Sequence, residues 1–180
     1  MRYLLLLLMF VCSTSQAARY QICVGEFAFC GASSAVPTGN LITVATPTGT
    51  AQFNEAMAVC PVMNGSSVAD VKGGNMQGSC AISAEGHVWS LFAPFSEVPT
   101  SPTWNVTTVV PRLFVSGSDA NFSQMFSFDC VKTEIVNGVQ LADCFGAINE
   151  SLTGAPVPAG TTMLTEAPLG SILPVSGSLP

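Results

Sequence analysis

Six cysteines, Cys23, Cys30, Cys60, Cys80, Cys130 and Cys144, constrain this chain more than any other feature. They follow a segment with the form of an export signal. Arg2 supplies the charge, Leu4–Cys12 the apolar run, and Ser15-Gln16-Ala17 the small side chains that a signal peptidase inspects. Cleavage is expected after Ala17, which removes Cys12 from a total of 7 cysteines and leaves 6 in an oxidising compartment. An even number there reads as three disulfides. Cys12 lies inside the apolar run behind Met9-Phe10-Val11, which excludes lipidation at that position. The run is about nine residues against the roughly 20 that cross a bilayer, so no membrane insertion of the mature chain is expected.

The cysteine spacing excludes several chemistries. Intervals of 6, 29, 19, 49 and 13 residues contain no C-x-x-C pair, and His87 is the only histidine. Zinc and iron–sulfur ligation need paired ligands, and thioredoxin-like exchange needs C-x-x-C. Neither metal nor cofactor is expected. Without the leader, 4 basic residues (Arg19, Lys72, Arg112 and Lys132) face 11 acidic ones, a net charge of −7 against −6 for the whole chain. Such a chain repels phosphate backbones, so nucleic acid is not an expected partner. Only 9% of residues are charged, which leaves Ser, Thr, Asn, Gln and Gly to cover the surface, as in extracellular β proteins.

Short runs rich in Val, Ile, Thr and Phe recur between Gly, Pro, Asn and Ser clusters, and helical periodicity is nearly absent. The expected fold is mainly β: a disulfide-stabilised antiparallel β-sandwich or barrel-like domain with few or no helices. Strands are expected at Arg19–Val24, Asn40–Ala45, Gly86–Phe92, Thr103–Val110, Arg112–Ser116 and, as a hairpin, Ser123–Ile148. One short helix is expected over Asn54–Val59, capped by Asn54 and stopped by Pro61. The organisation is a signal at 1–17, a cysteine-stabilised β domain at 18–153 and a Pro/Gly-rich tail at 154–180. In that tail Pro156, Pro158, Pro168, Pro174 and Pro180 punctuate small and aliphatic residues, so it reads as an extended, loosely ordered terminus. Leu164, Leu169, Ile172 and Leu173 leave room for partial packing on the domain.

The hairpin at Val136-Asn137-Gly138 has the strongest local signal. A two-residue turn would pair Val136 with Val139 and mix polar with apolar residues on both faces. A three-residue loop with Gly138 left-handed pairs Ile135 with Val139, Thr133 with Leu141 and Val131 with Asp143. The opposite face then carries Glu134–Gln140, Lys132–Ala142 and Cys130–Cys144. This register separates the chemistry better and predicts a Cys130–Cys144 disulfide, since facing strand residues lie roughly 4.5–5.5 Å apart. A bond between Cys23 and Cys30 is disfavoured on one straight strand, where seven steps of about 3.3 Å separate them. The three pairings of Cys23, Cys30, Cys60 and Cys80 remain open.

Catalytic constellations are weak. No G-x-S-x-G elbow occurs, and His87 in Glu85-Gly86-His87-Val88-Trp89 reads as a strand-edge residue beside a turn. Paired carboxylates, with Asp70, Glu85 and Glu97 in the most featured part of the chain, would suit a hydrolase, but their spacing carries no specificity. Gly73-Gly74-Asn75-Met76-Gln77-Gly78-Ser79-Cys80 lacks the Lys-Ser/Thr of a phosphate loop and reads as a tight turn leading into a disulfide. Four N-x-S/T sequons stand at Asn64, Asn105, Asn121 and Asn149. Aromatic residues concentrate between His87 and Trp104. Alternation favours burial of the strand at 88–92, whereas the Pro94–Pro102 loop would present aromatics to a sugar or peptide. Trp89, Phe92, Phe95, Trp104 and His87 are therefore the candidate ligand contacts.

The stretch Tyr20–Cys30, then Pro37-Thr38-Gly39, Cys60-Pro61, Ala69–Cys80 and Val88-Trp89-Ser90, resembles a family of small exported cysteine-containing proteins of unknown function from host-associated gram-negative bacteria. The similarity extends over most of residues 19–150. It implies export and a bacterial origin and supplies no catalytic residue. Relatives carry further cysteines near Val59 and Gly146 and in the tail, which this chain lacks, so no disulfide pattern transfers. The expectation is a non-enzymatic exported module that binds a protein or glycan outside the cytoplasm, on a host or envelope component. The alternatives are a secreted hydrolase with paired carboxylates and a protease inhibitor with a disulfide-braced loop.

Overall fold

The computed structural model describes residues 20–31, 33, 35–46, 49–93, 112–117, 119, 122–148, 158–165 and 175–178. The expected leader, the expected strand at 103–110, and Glu97, Phe95 and Trp104 lie outside them. Among the described residues ten strands run in chain order: β1 (Tyr20–Ala28), β2 (Val36–Thr46), β3 (Gly49–Asp70), β4 (His87–Trp89), β5 (Arg112–Val115), β6 (Phe122–Gln124), β7 (Asp129–Val136), β8 (Val139–Ile148), β9 (Thr162–Thr165) and β10 (Val175–Ser178). No helix occurs among the described residues. The spatial order is β1-β3-β8-β6-β10-β9-β5, with β2 on β3, and with β7 joining β4 to β8. Every named pair is antiparallel except β6 with β10.

The 22-residue β3 is the spine. Its first part pairs with β2 on one edge and β8 on the other, and its last nine residues pair with β1. The expected helix at Asn54–Val59 is strand, lying in that doubly paired first part. Ala56, Ala58 and Cys60 are buried while Met57 and Val59 between them are only half-buried, and two-sided pairing overrides the helical preference of Glu, Ala and Met. Pro61 has no N–H for a ladder, and it stands where the spine changes partner. Pro61 faces Leu141 of β8, and Val62 already faces Ala28 of β1.

The tail is also corrected. β9 pairs with β5, and β10 pairs with β6 and β9, so the described parts of 154–180 enter the sheet, where ladder bonds satisfy their backbone groups.

The β7–β8 hairpin combines both registers weighed from sequence. Cys130 faces Cys144, Val131 faces Asp143 and Lys132 faces Ala142, as the three-residue loop requires. The turn itself has two residues, Asn137 at φ 50° and Gly138 at φ 81°, with Val136 opposite Val139. A bulge reconciles the two, setting Thr133 and Glu134 against Leu141 alone. The Gln140 amide closes it by donating to the Glu134 and Leu141 carbonyls at 3.3 and 2.9 Å. The twist of a two-residue turn matches the strands, and the strand absorbs the extra residue.

β1 is buried on both faces at its C-terminal end. Phe27 and Phe29 join Ala69, Val71, Met76, Trp89 and Leu91 in one core. Ala28 and Cys30 join Ala56, Ala58, Cys60, Val88, Cys130, Ala142 and Cys144 in another. Three disulfides connect Cys23–Cys80, Cys30–Cys60 and Cys130–Cys144, with Cα separations of 5.7, 5.0 and 4.2 Å. They indicate an oxidising, non-cytoplasmic location.

Candidate functional site

β1 and the Gly86–Leu91 segment part company, and a cavity opens where they do. At one end Ser90 bridges Ala28 in parallel, and the Leu91 N–H donates to the Ala28 carbonyl at 3.1 Å. Moving away from that bridge, β4 turns toward β7, where the Lys132 N–H donates to the Gly86 carbonyl at 2.9 Å. The gap between Cys23–Glu26 and Gly86–Trp89 is a cleft of about 540 Å³, open to solvent on one side. The Cys23–Cys80 disulfide, Trp89, Leu91 and Ile82 make its apolar walls, and His87, Glu85, Glu26 and Lys132 its polar ones.

Local chemistry explains how each wall is held. After β3 the chain reverses through the glycine-rich stretch: the Gly73 N–H donates to the Asp70 carbonyl at 2.9 Å and the Lys72 N–H to the Asp70 carboxylate at 3.2 Å. Gly74 has φ 54°, and a Cβ there would strike the Ser127 carbonyl oxygen. The turn delivers Cys80 to Cys23. The Trp89 indole N–H donates to the Ala81 carbonyl at 2.8 Å and ties the loop to β4. Lys132 Nζ reaches Glu26 Oε2 at 2.9 Å and spans the gap between β7 and β1.

His87 is held by a carboxylate. Its Nδ1 lies 2.6 Å from Asp129 Oδ2, and Ser83 Oγ donates to the other oxygen, Oδ1, at 2.6 Å. The Asp129 N–H donates in turn to the Asn75 side-chain oxygen at 2.9 Å. In a Ser–His–Asp triad the hydroxyl sits on Nε2, whereas Ser83 sits on the carboxylate. Among the described residues no side chain engages Nε2. The arrangement holds an imidazole in one pose at the wall of a cavity, where it can exchange a hydrogen bond with a ligand.

The expected contacts divide. His87 and Trp89 line the cavity, with Trp89 only 8% exposed. Phe92 lies in the core, its ring stacked on Phe126 with centroids 3.7 Å apart. Glu85 is at the cavity, while Asp70 is buried at the glycine turn, outside the cavity walls. Asp129, Ser83, Ile82 and Lys132 were not singled out from sequence. Asp129 and His87 are 42 residues apart, and only the β4–β7 register brings them together.

The sulfurs of Cys30, Cys60 and Cys144 lie within 4.8 Å of one another, but each is consumed in a disulfide. Metal ligation requires thiolates, so the cluster is a pair of neighbouring cystines. Among the described residues no helix is long and apolar enough to cross a membrane. The chain matches no family model, no curated protein and no solved structure.

Proposed function

We propose that this is an exported interaction protein, secreted or periplasmic, that holds its ligand in the cavity between β1 and β4 without transforming it. The observation that carries this reading is the cavity's construction. A disulfide and an indole form a rigid apolar floor, and a carboxylate-fixed imidazole and an ion pair form the rim. Apolar walls with a few oriented polar groups are what a binding site needs. The hydrogen-bonding around His87 serves pose rather than proton transfer to a nucleophile.

The test is a screen of the intact oxidised protein against arrayed glycans and displayed extracellular protein segments, repeated with Ile82→Arg and His87→Ala. Ile82 is 56% exposed, so Arg there fills the mouth of the cavity without entering the core. Ligands of the cavity lose at least about tenfold in affinity with Ile82→Arg, the equivalent of roughly 1.4 kcal/mol. A ligand indifferent to both variants overturns the assignment. The hydrolase alternative is separated by turnover: cleavage of a polysaccharide or ester that is abolished by Glu85→Gln or Asp70→Asn would replace binding with catalysis.

A further inference from the structure

Part of the β1 edge that faces the cavity has no backbone partner among the described residues, and its hydrogen-bonding direction follows from the register. Val68 of β3 exchanges both backbone hydrogen bonds with Phe92, Val68 N–H to Phe92 carbonyl at 2.8 Å and the reverse at 3.0 Å. Its N–H and C=O are therefore turned away from β1. Val68 stands opposite Ile22, so this is a non-hydrogen-bonded pair, and the Ile22 N–H and C=O point away from β3 as well. Alternation gives Val24 the same outward direction. Four residues further along, the outward carbonyl of Ala28 already accepts the Leu91 N–H. Among the described residues the edge is thus occupied by another segment at Ala28 and without a backbone partner at Ile22 and Val24, where β4 has left it for β7.

The side chains on this stretch are equally unusual. Ile22 is 72% and Val24 81% exposed. Proteins ordinarily blunt a free edge with Lys, Pro, bulges or a covering loop. Tyr20–Val24 has none of these residues, its pairing with β3 runs without a bulge, and Glu26 is held by Lys132.

We propose that the edge of β1 at Ile22 and Val24 binds an extended segment of a partner protein as an added strand, continuing the ladder begun at Ala28–Leu91. This rests on the reading of the cavity as the ligand site and names its ligand as peptide. Main-chain bonds to the edge supply affinity, and one apolar side chain of the guest, entering the cavity over Cys23–Cys80 and Trp89, supplies selectivity. Charge indicates what flanks that side chain. Glu85 is exposed on the cavity wall and has no partner among the described residues, and the chain carries −6 overall. A guest with Lys or Arg next to its apolar anchor meets both conditions, whereas a second copy of this chain would set −6 against −6.

The experiment is selection of random 12-residue displayed peptides on the intact oxidised protein, followed by NMR amide exchange with the most enriched synthetic peptide. Selected sequences should alternate apolar and polar residues and contain Lys or Arg. Exchange at the Ile22 and Val24 amides should slow at least about tenfold. Val24→Pro deletes one outward N–H at an edge position where proline is tolerated, and it should weaken binding by about tenfold, while Val24→Ala, which keeps that N–H, binds within about threefold. Peptides that shift the Trp89 and His87 resonances yet leave both amides unprotected and ignore Val24→Pro overturn strand addition and leave the cavity assignment standing. Failure to enrich any peptide also overturns it, and the glycan arm of the Ile82→Arg comparison then decides the cavity separately.

Discussion

The two cores that meet at β1 and β4 are made of different materials. One is filled by Phe27, Phe29, Trp89, Leu91, Val71 and Met76, large side chains that each remove much apolar surface from water. The other has no aromatic residue and is lined by Ala28, Ala56, Ala58 and Ala142 around four half-cystines. Alanines let strands approach closely but contribute little burial, so that core relies on covalent closure of the Cys30–Cys60 and Cys130–Cys144 loops. Bulk and cross-linking answer the same entropy problem: the aromatic side combines its bulk with the single Cys23–Cys80 bond, and the alanine side leans on two bonds without bulk.

The comparison is most severely tested by reduction. Each disulfide contributes about 2–4 kcal/mol, and three together rival the roughly 5–15 kcal/mol that holds a domain folded. Urea denaturation followed by circular dichroism should show a cooperative transition for the oxidised protein and none after reduction. A cooperative transition in the reduced chain would mean that the alanine–cystine core packs without its links. The aromatic core should respond to truncation instead: Phe27→Ala is expected to cost about 3–5 kcal/mol, read as a lowered urea midpoint with the disulfides intact. Gly146→Ala examines how closely the strands beside the cystines are set. A Cβ there meets the Gln124 carbonyl oxygen, and the expected loss is about 1–3 kcal/mol in the same assay.

Smaller effects are expected where neither material is involved. Ser127 has φ 66°, and its buried hydroxyl has no hydrogen-bond partner among the described residues. Ser127→Gly should raise the thermal midpoint, by the equivalent of about 0.5–1 kcal/mol, because glycine adopts that backbone without strain. Lys132→Met should change stability by less than about 1 kcal/mol, since its ion pair with Glu26 is partly exposed, with side chains 28% and 49% accessible. A larger loss would show that this bridge braces the cavity as firmly as the disulfide behind it.

Local chemistry was legible in the sequence and long-range pairing was not. Cys130 and Cys144 could be matched because Asn137-Gly138 places them on one hairpin, and the alternation of the flanking residues was enough to set their register. The turn type was missed because a bulge at Thr133–Glu134 changes the count between turn and disulfide, and face alternation alone is blind to an unpaired residue. Asn54 as a cap and Pro61 as a stop point to a helix over Asn54–Val59, and only the strands on both sides make it β. The cavity follows the same rule. His87 and Trp89 stood out as rare residues, while Asp129, Ser83 and Ile82 are common types whose importance comes from pairing across the sheet. The wedge itself exists because β4 takes Gly86 to Lys132 rather than onward along β1, a choice made by β7.

The order of the cysteines along the chain sets a problem for maturation. Cys30–Cys60 is nested inside Cys23–Cys80, with sequence separations of 30 and 57, while Cys130–Cys144 closes only 14. A chain oxidised as it emerges, each cysteine joined to its predecessor, would link Cys23 to Cys30 and Cys60 to Cys80, and neither bond is native. Only the hairpin bond forms correctly by simple succession. The nested pair requires either that β1 and β3 align before oxidation or that early bonds be exchanged by a thiol catalyst. Wherever oxidation outruns that alignment, the native nesting is reached only by exchange of early bonds.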